Sequence, residues 1–438
     1  MKPESVPSGD RPFQDAAAKV VNPRLRVPVS LIIDDSTCLV NLNRFAVPQF
    51  EAASVPKRDF SYLNWREIPH EIPDDFVRRF GEWCGENGVK GKYSIVPYPA
   101  CVGRVDRILP YWTSAELEAS IELVHNLMTP NWDIHPEMVT HTRVIDTKTG
   151  HPYPELGPRF QENWEWTDGK SADEIEDYMR YGLQILKNVG FHCDGITTPG
   201  GFGNRVLPAL AKATLDSCRG VHDVNIAHYF RHIFTGDESV SPRVQYASGL
   251  DSDDPECVVS MIGCTGDWTG GWDCSSRGDV DKFITPDLSS GRMVDVIERG
   301  EPACIVCHWQ GIYFNGEEVG FGVFQEMVQR LHARYDHIQW MKLSEIARYW
   351  AAKELTGIEK DDEGIKLFAP FECPGFTIEL EASSGVPRSF VQESETCPLT
   401  ETNNALNLES GQWVLSGDST HVCVDLPRGE SRVLMSPI

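Results

Sequence analysis

Two adjacent carboxylates, Asp34 and Asp35, close the apolar run Val27-Pro28-Val29-Ser30-Leu31-Ile32-Ile33. In α/β proteins chemistry is placed at the carboxyl ends of buried strands, so two ionisable groups there point to an active site. Asp-Asp-Ser-Thr also suits a helix cap or a turn. Further along, Asp133-Ile134-His135-Pro136-Glu137-Met138-Val139-Thr140-His141 gathers more metal-capable side chains at a second expected strand end. Extended aspartates in sequence project to opposite sides, so one can ligate an ion while the other takes a proton from water. His135, Glu137 and His141 have even separations and would share one face of a strand; Glu137 and His141 would also be neighbours on a helical turn. A carboxylate with one or two imidazoles can form an open divalent-metal site that acidifies a water. His308 ends another apolar run, where an imidazole suits a general acid and, more plainly, a turn cap.

Two loops have the character of substrate contacts. Thr197-Thr198-Pro199-Gly200-Gly201-Phe202-Gly203-Asn204 links a strand to a helix, and Gly266-Asp267-Trp268-Thr269-Gly270-Gly271-Trp272-Asp273 is long and aromatic. Pro199, Trp268, Trp272 and, next to His308, Trp309 are the candidate substrate-binding residues, because flat rings on Gly-rich loops fit the faces of sugars; core packing is the competing role for each. Cys304-Ile305-Val306-Cys307-His308 has the spacing of haem attachment. On a strand, however, residues three apart face opposite ways, so these thiols should not converge on one ligand.

The elements that must position these residues read as α/β. Strands are expected at residues 29–34, 92–97, 132–141, 191–197, 258–263, 303–308 and 337–342, with amphipathic helices between most of them. Ile72 to Glu86 is one such helix, and Thr113 with Glu116 and Ser171 with Glu174 fit capping boxes. Seven or so strand-helix units in residues 27–355 suggest an irregular (β/α) barrel, closed or nearly so. No Gly-x-Gly-x-x-Gly follows the first strand, which disfavours a dinucleotide fold. Residues 1–26 read as a polar tail, and residues 356–438, with short alternating runs split by Pro and Gly, as a small β-rich accessory domain.

Composition narrows the partners. A formal charge of −25 repels nucleic acid and anionic membrane, leaving a carbohydrate or other small molecule as the expected partner. No run reaches the apolar length of a membrane span, and the polar N-terminus does not read as a secretory signal, so the cytoplasm is the expected location. The 13 cysteines are scattered in apolar contexts, as reduced core thiols are. The oligomeric state is left open, a homo-oligomer included.

The order of these motifs resembles the polysaccharide deacetylase superfamily: Asp34-Asp35 ending the first strand, a His-containing segment ending the third, a Pro-Gly loop after a later strand, and an apolar strand closing with His308. That resemblance implies an irregular barrel of about seven strands over residues 27–355 that binds a divalent metal, usually zinc, and hydrolyses acetyl groups on sugars. It matches Asp34 to the general base, Asp35 to the metal carboxylate and His308 to the general acid. Two departures stand out. The family's pair of histidines four residues apart is Glu137-x-x-x-His141 here, and Thr198 stands where an Arg usually precedes the Pro. The expectation is a metal-dependent hydrolase with Asp35, His135, Glu137 and His141 as candidate ligands. A glycoside hydrolase using paired carboxylates and a non-catalytic carbohydrate-binding protein are the alternatives.

Overall fold

The computed structural model describes residues 8–53, 59–60, 62–392 and 395–436; the first seven residues of the expected tail and the last two of the accessory region lie outside these. The chain is a mixed α/β protein. Its first five-stranded sheet contains β1 (Val27–Asp34), β2 (Gly91–Ile95) and β3 (Trp132–Pro136). The second contains β4 (Gly195–Thr197), β5 (Ile226–Ile233), β6 (Arg243–Ser248) and β7 (Glu256–Gly263). β8 (Ala303–His308) returns to the first sheet, as does β9 (Ile338–Trp340).

The first sheet runs β8-β1-β2-β3, all parallel, with β9 beside the first residues of β1. In the second, β4, β5 and β7 are parallel, β6 is antiparallel to β7, and Ser8–Gly9 adds an edge strand to β6. The two sheets meet at two seams. One is a parallel bridge between Glu137 and Thr197. At the other, Cys264 N–H donates to the Cys304 carbonyl (2.7 Å) and Val306 N–H to Thr265 Oγ1 (3.0 Å). The ladder is therefore not one continuous closed sheet among the described residues.

Burial explains which strands form. All eight residues of β1 are buried, as a parallel strand covered on both faces requires. Cys304 and Cys307 fall into different core clusters on opposite faces of β8, so the haem-like spacing holds no shared ligand. The expected strand over 132–141 stops at Pro136, beyond which Met138 and His141 take positive φ (47° and 62°) and turn the chain. β5 and β6 were not expected as strands. In Ile-Ala-His-Tyr-Phe-Arg-His-Ile the imidazoles and the Arg interrupt the apolar pattern that marks a buried strand.

The helices cover the outer faces, and both expected capping boxes form, Thr113 with Glu116 and Ser171 with Glu174. Trp309 is 1% exposed and packs against Phe76, Phe80 and Tyr93. It is a core residue and not the substrate contact expected of it. The helix Leu343–Leu355 buries Ile346, Ala347, Trp350 and Ala351 in a second core shared with residues 357–436. Those residues form two further, mainly antiparallel five-stranded sheets, one of which takes Ala18–Val20 of the N-terminal segment as an edge strand. All 13 cysteines are free thiols, and among the described residues no helix is long and apolar enough to cross a membrane.

Candidate active site

The carboxyl ends of the parallel strands converge on one cleft. β1 ends in Asp34, the chain leaving β3 supplies Glu137 and His141, Thr198 follows β4, and β8 ends in His308, in register with Asp34. These residues line a cavity of about 240 Å³ together with Asp35, Asn43, Phe50, Phe60, Asn163, Trp272 and Arg231.

Asp35, Glu137 and His141 each offer a ligand atom, and these atoms lie within 4.8 Å of one another. His141 Nε2 is 2.6 Å from Asp35 Oδ1 and 3.5 Å from Glu137 Oε1, while the Asp35 N–H donates to Glu137 Oε2 at 2.6 Å. Asp35 and His141 both have φ of 62°, a left-handed backbone that costs energy outside glycine and recurs at functional sites. Burial alone would raise the Asp35 pKa, but His141 holds it below the usual carboxylate range. Burial would likewise lower that of His141, yet Asp35 and Glu137 hold it well above the usual imidazole value. Asp35 Oδ1 is buried with no donor aligned on it, despite the nearness of the imidazole. Two carboxylates and an imidazole with an unsatisfied oxygen are a donor set that suits a divalent cation, which would take the place of the proton on Nε2.

The loop bearing His141 is held from behind. Glu162 accepts from the N–H groups of Thr140 (2.9 Å) and His141 (2.6 Å) and from the Tyr178 hydroxyl (2.5 Å). Burial pushes its pKa up to about 7 against those hydrogen bonds. Asn163 donates from Nδ2 to the His141 carbonyl and faces His141 Nδ1 at 3.3 Å. Gly200 packs on this asparagine, where a Cβ would meet the Asn163 carbonyl oxygen at 2.6 Å, and its φ of 44° favours glycine as well.

On the other side of the cluster stand two ion pairs. Lys92, fully buried on β2, donates to Asp34 Oδ1 (2.5 Å), Ser94 Oγ (2.7 Å) and the Ile33 carbonyl (2.8 Å). Burial outweighs this cation and raises the Asp34 pKa to about 6. His308 Nδ1 is 2.7 Å from Asp267 Oδ2, and Asp267 also accepts from the Thr269 hydroxyl at 2.8 Å. Burial disfavours the imidazolium, but Asp267, Asp35 and Asp34 together lift the His308 pKa to about 10.

No family model matches the chain, and no curated protein matches it. Among solved structures, a 4-α-glucanotransferase from Thermococcus litoralis is 13% identical with a TM-score of 0.37, covering 73% of this chain and 40% of its own. This chain thus spans well under half the length of that protein. A protein from Parabacteroides distasonis, provisionally described as a glycoside hydrolase/deacetylase, is 12% identical with a TM-score of 0.39, covering 84% and 83%. At these values, what the cleft can do has to be drawn from its own geometry.

Of the expected residues, Asp34, Asp35, Glu137, His141, His308 and Trp272 come together. His135 does not. It shares a strand face with Glu137, but two residues along a strand are about 6.5 Å apart, so its ring lies a layer deeper. There its Nε2 meets His228 Nε2 at 2.9 Å, and with Asp133 the two rings form a second buried group whose ligand atoms lie within 4.8 Å of one another and could hold a metal ion. Thr198 and Gly200 line the cavity on either side of Pro199, which is itself buried, and Trp268 packs edge-on against Phe283 away from the cavity. Lys92, Glu162, Asn163, Asp267 and Arg231 were not expected. Asp267 at least lies in the Gly266–Asp273 loop read as a substrate contact, and Lys92 stands as a charge within the short strand Gly91–Ile95, all of which is buried.

Proposed function

We propose that this chain is a metal-dependent hydrolase that removes acyl groups, acetyl first among them, from a carbohydrate or a related ester or amide. The observation that carries the reading is the convergence of Asp35, Glu137 and His141 in one cavity, flanked by Asp34 on one side and His308 on the other. In this reading the two sheets act as one irregular (β/α) barrel with its working end at the strand carboxyl termini. Asp35, Glu137 and His141 would hold the divalent ion, zinc being the first candidate. Such an ion would polarise an acyl oxygen and make water acidic near neutral pH.

The chain's own groups divide the proton transfers. Lys92 occupies Asp34 Oδ1, which leaves Oδ2 to take the proton of the attacking water. With a pKa of about 6, Asp34 is both ionised and basic enough for this task near neutral pH. His308 commits Nδ1–H to Asp267, so Nε2–H is the proton available to the departing alcohol or amine. Water adds to the acyl carbon, the C–O or C–N bond breaks, and acid and free hydroxyl or amine are released. Phe50, Phe60 and Trp272 line the same cavity and would supply the apolar contact that a sugar ring needs. A glycoside hydrolase mechanism on Asp35 and Glu137 is less suited, because His141 sits against both carboxylates and leaves no room between them for a sugar.

The test is elemental analysis of the purified protein, with acetate release measured from a panel of acetylated sugars. About one ion per chain, lost together with activity in Asp35→Ala and His141→Ala while the fold is kept, is the expected result. Chelator-insensitive release of reducing sugar without acetate would overturn it.

A further inference from the structure

The cations around the cavity are nearly all spoken for. Lys92 faces Asp34, His141 faces Asp35, and His308 faces Asp267. Arg231 is the exception. Arg231 is among the residues lining the cavity, its Nε is buried with no hydrogen-bond partner, and among the described residues it forms no ion pair. Burial lowers its pKa only to about 10, so the charge persists at neutral pH.

Arg231 is also placed there by a backbone device. Met261 and Ile262 of β7 pair with Phe230 and His232 of β5, so Arg231 is an extra residue opposite no partner. A bulge of this kind re-aims a side chain, and bulges concentrate beside active sites. An unpaired guanidinium in a half-buried position is costly unless a ligand supplies the anion, and its planar fork matches a carboxylate in two parallel hydrogen bonds.

Resting on the acyl-hydrolase reading above, we propose that Arg231 is an anion-recognition residue and that the substrate is an acylated acidic sugar, its carboxylate bound by this guanidinium. A carboxylate is favoured over a phosphate ester because the same small cavity already holds Asp34, Asp35 and Glu137, and a dianion would meet twice the repulsion there. The chain as a whole, at −25, repels anions, so any preference for one has to be local.

Calorimetric titration of the full-length protein in zinc-containing buffer with D-glucuronate, D-glucose and D-glucose 6-phosphate tests this. Glucuronate should bind the wild type at least about tenfold tighter than glucose, a difference of about 1.4 kcal/mol. Arg231→Gln should abolish that preference, and Arg231→Lys, which keeps the charge without the fork, should retain part of it. Equal binding of glucuronate and glucose by the wild type would overturn the proposal whatever the variants do. Undiminished preference in a folded Arg231→Gln protein would overturn it too, and tighter binding of glucose 6-phosphate would overturn the carboxylate assignment. Anion preference without acyl release from any acetylated sugar would sink the hydrolase reading and leave the anion site standing; acyl release without anion preference would do the reverse.

Discussion

Replacing Asp267 by asparagine should move the alkaline limb of activity to lower pH. Asp267 is the foremost of the groups that raise the His308 pKa from 6.5 to about 10, a rise that corresponds to about 5 kcal/mol in favour of the imidazolium. The substituted amide would keep a hydrogen-bond acceptor near Nδ1 but remove the charge, and a carboxylate at such a distance shifts a neighbour by roughly one to three pH units. With His308 as the proposed proton donor, activity should be present while it is protonated and be lost as pH rises through its pKa. The limb should therefore fall from about 10 by that interval. The rate plateau below it should be little changed, whereas His308→Asn should cost roughly 10²- to 10⁴-fold. The same linkage governs stability. A raised folded-state pKa stabilises fully below the unfolded value of 6.5, and the effect fades as pH rises through about 10. Asp267→Asn should thus be less stable than wild type at neutral pH, with the difference closing in alkali. The assay is a pH-rate profile joined to an NMR titration of the His308 ring, which does not depend on turnover. A ring titrating within about half a pH unit of wild type would refute the reasoning.

Three other outcomes follow from the packing and the charge pairs. Lys92→Met should cost about 3–5 kcal/mol in urea denaturation by stranding a buried carboxylate, and Lys92→Met combined with Asp34→Asn should recover part of that loss. His135→Asn should leave the metal content at about one ion per chain, because its ring faces His228 and not the Asp35 cluster; loss of the ion would mean that the ligand set is wrong. A thiol reagent should label no more than the three half-buried cysteines, Cys101, Cys274 and Cys397, in the native protein, and all 13 after denaturation.

The almost wholly apolar strands and the groups at their ends were legible along the chain. β1 and β8 are hydrophobic except for Ser30 and their last residues, and Asp34, Asp35 and His308 punctuate them at the carboxyl ends that line the cleft. The capping boxes were equally local, needing only residues three apart. Depth was not local. Nothing in the spacing separates His135 from Glu137, and only the pairing of His135 with His228, across two sheets, sets it below the cleft. Whether Trp309 meets solvent or core likewise depended on Phe76 and Phe80, far away along the chain. The partners that tune the site, Lys92 for Asp34, Asp267 for His308 and Glu162 for the His141 loop, are single residues whose spacing along the chain does not tell which group each will face. Their effect comes from a few ångströms of proximity in a buried place, where charges are weakly screened. That proximity exists only in the folded chain, across paired strands of one sheet for Lys92 and Asp34 and across the seam between the sheets for Asp267 and His308.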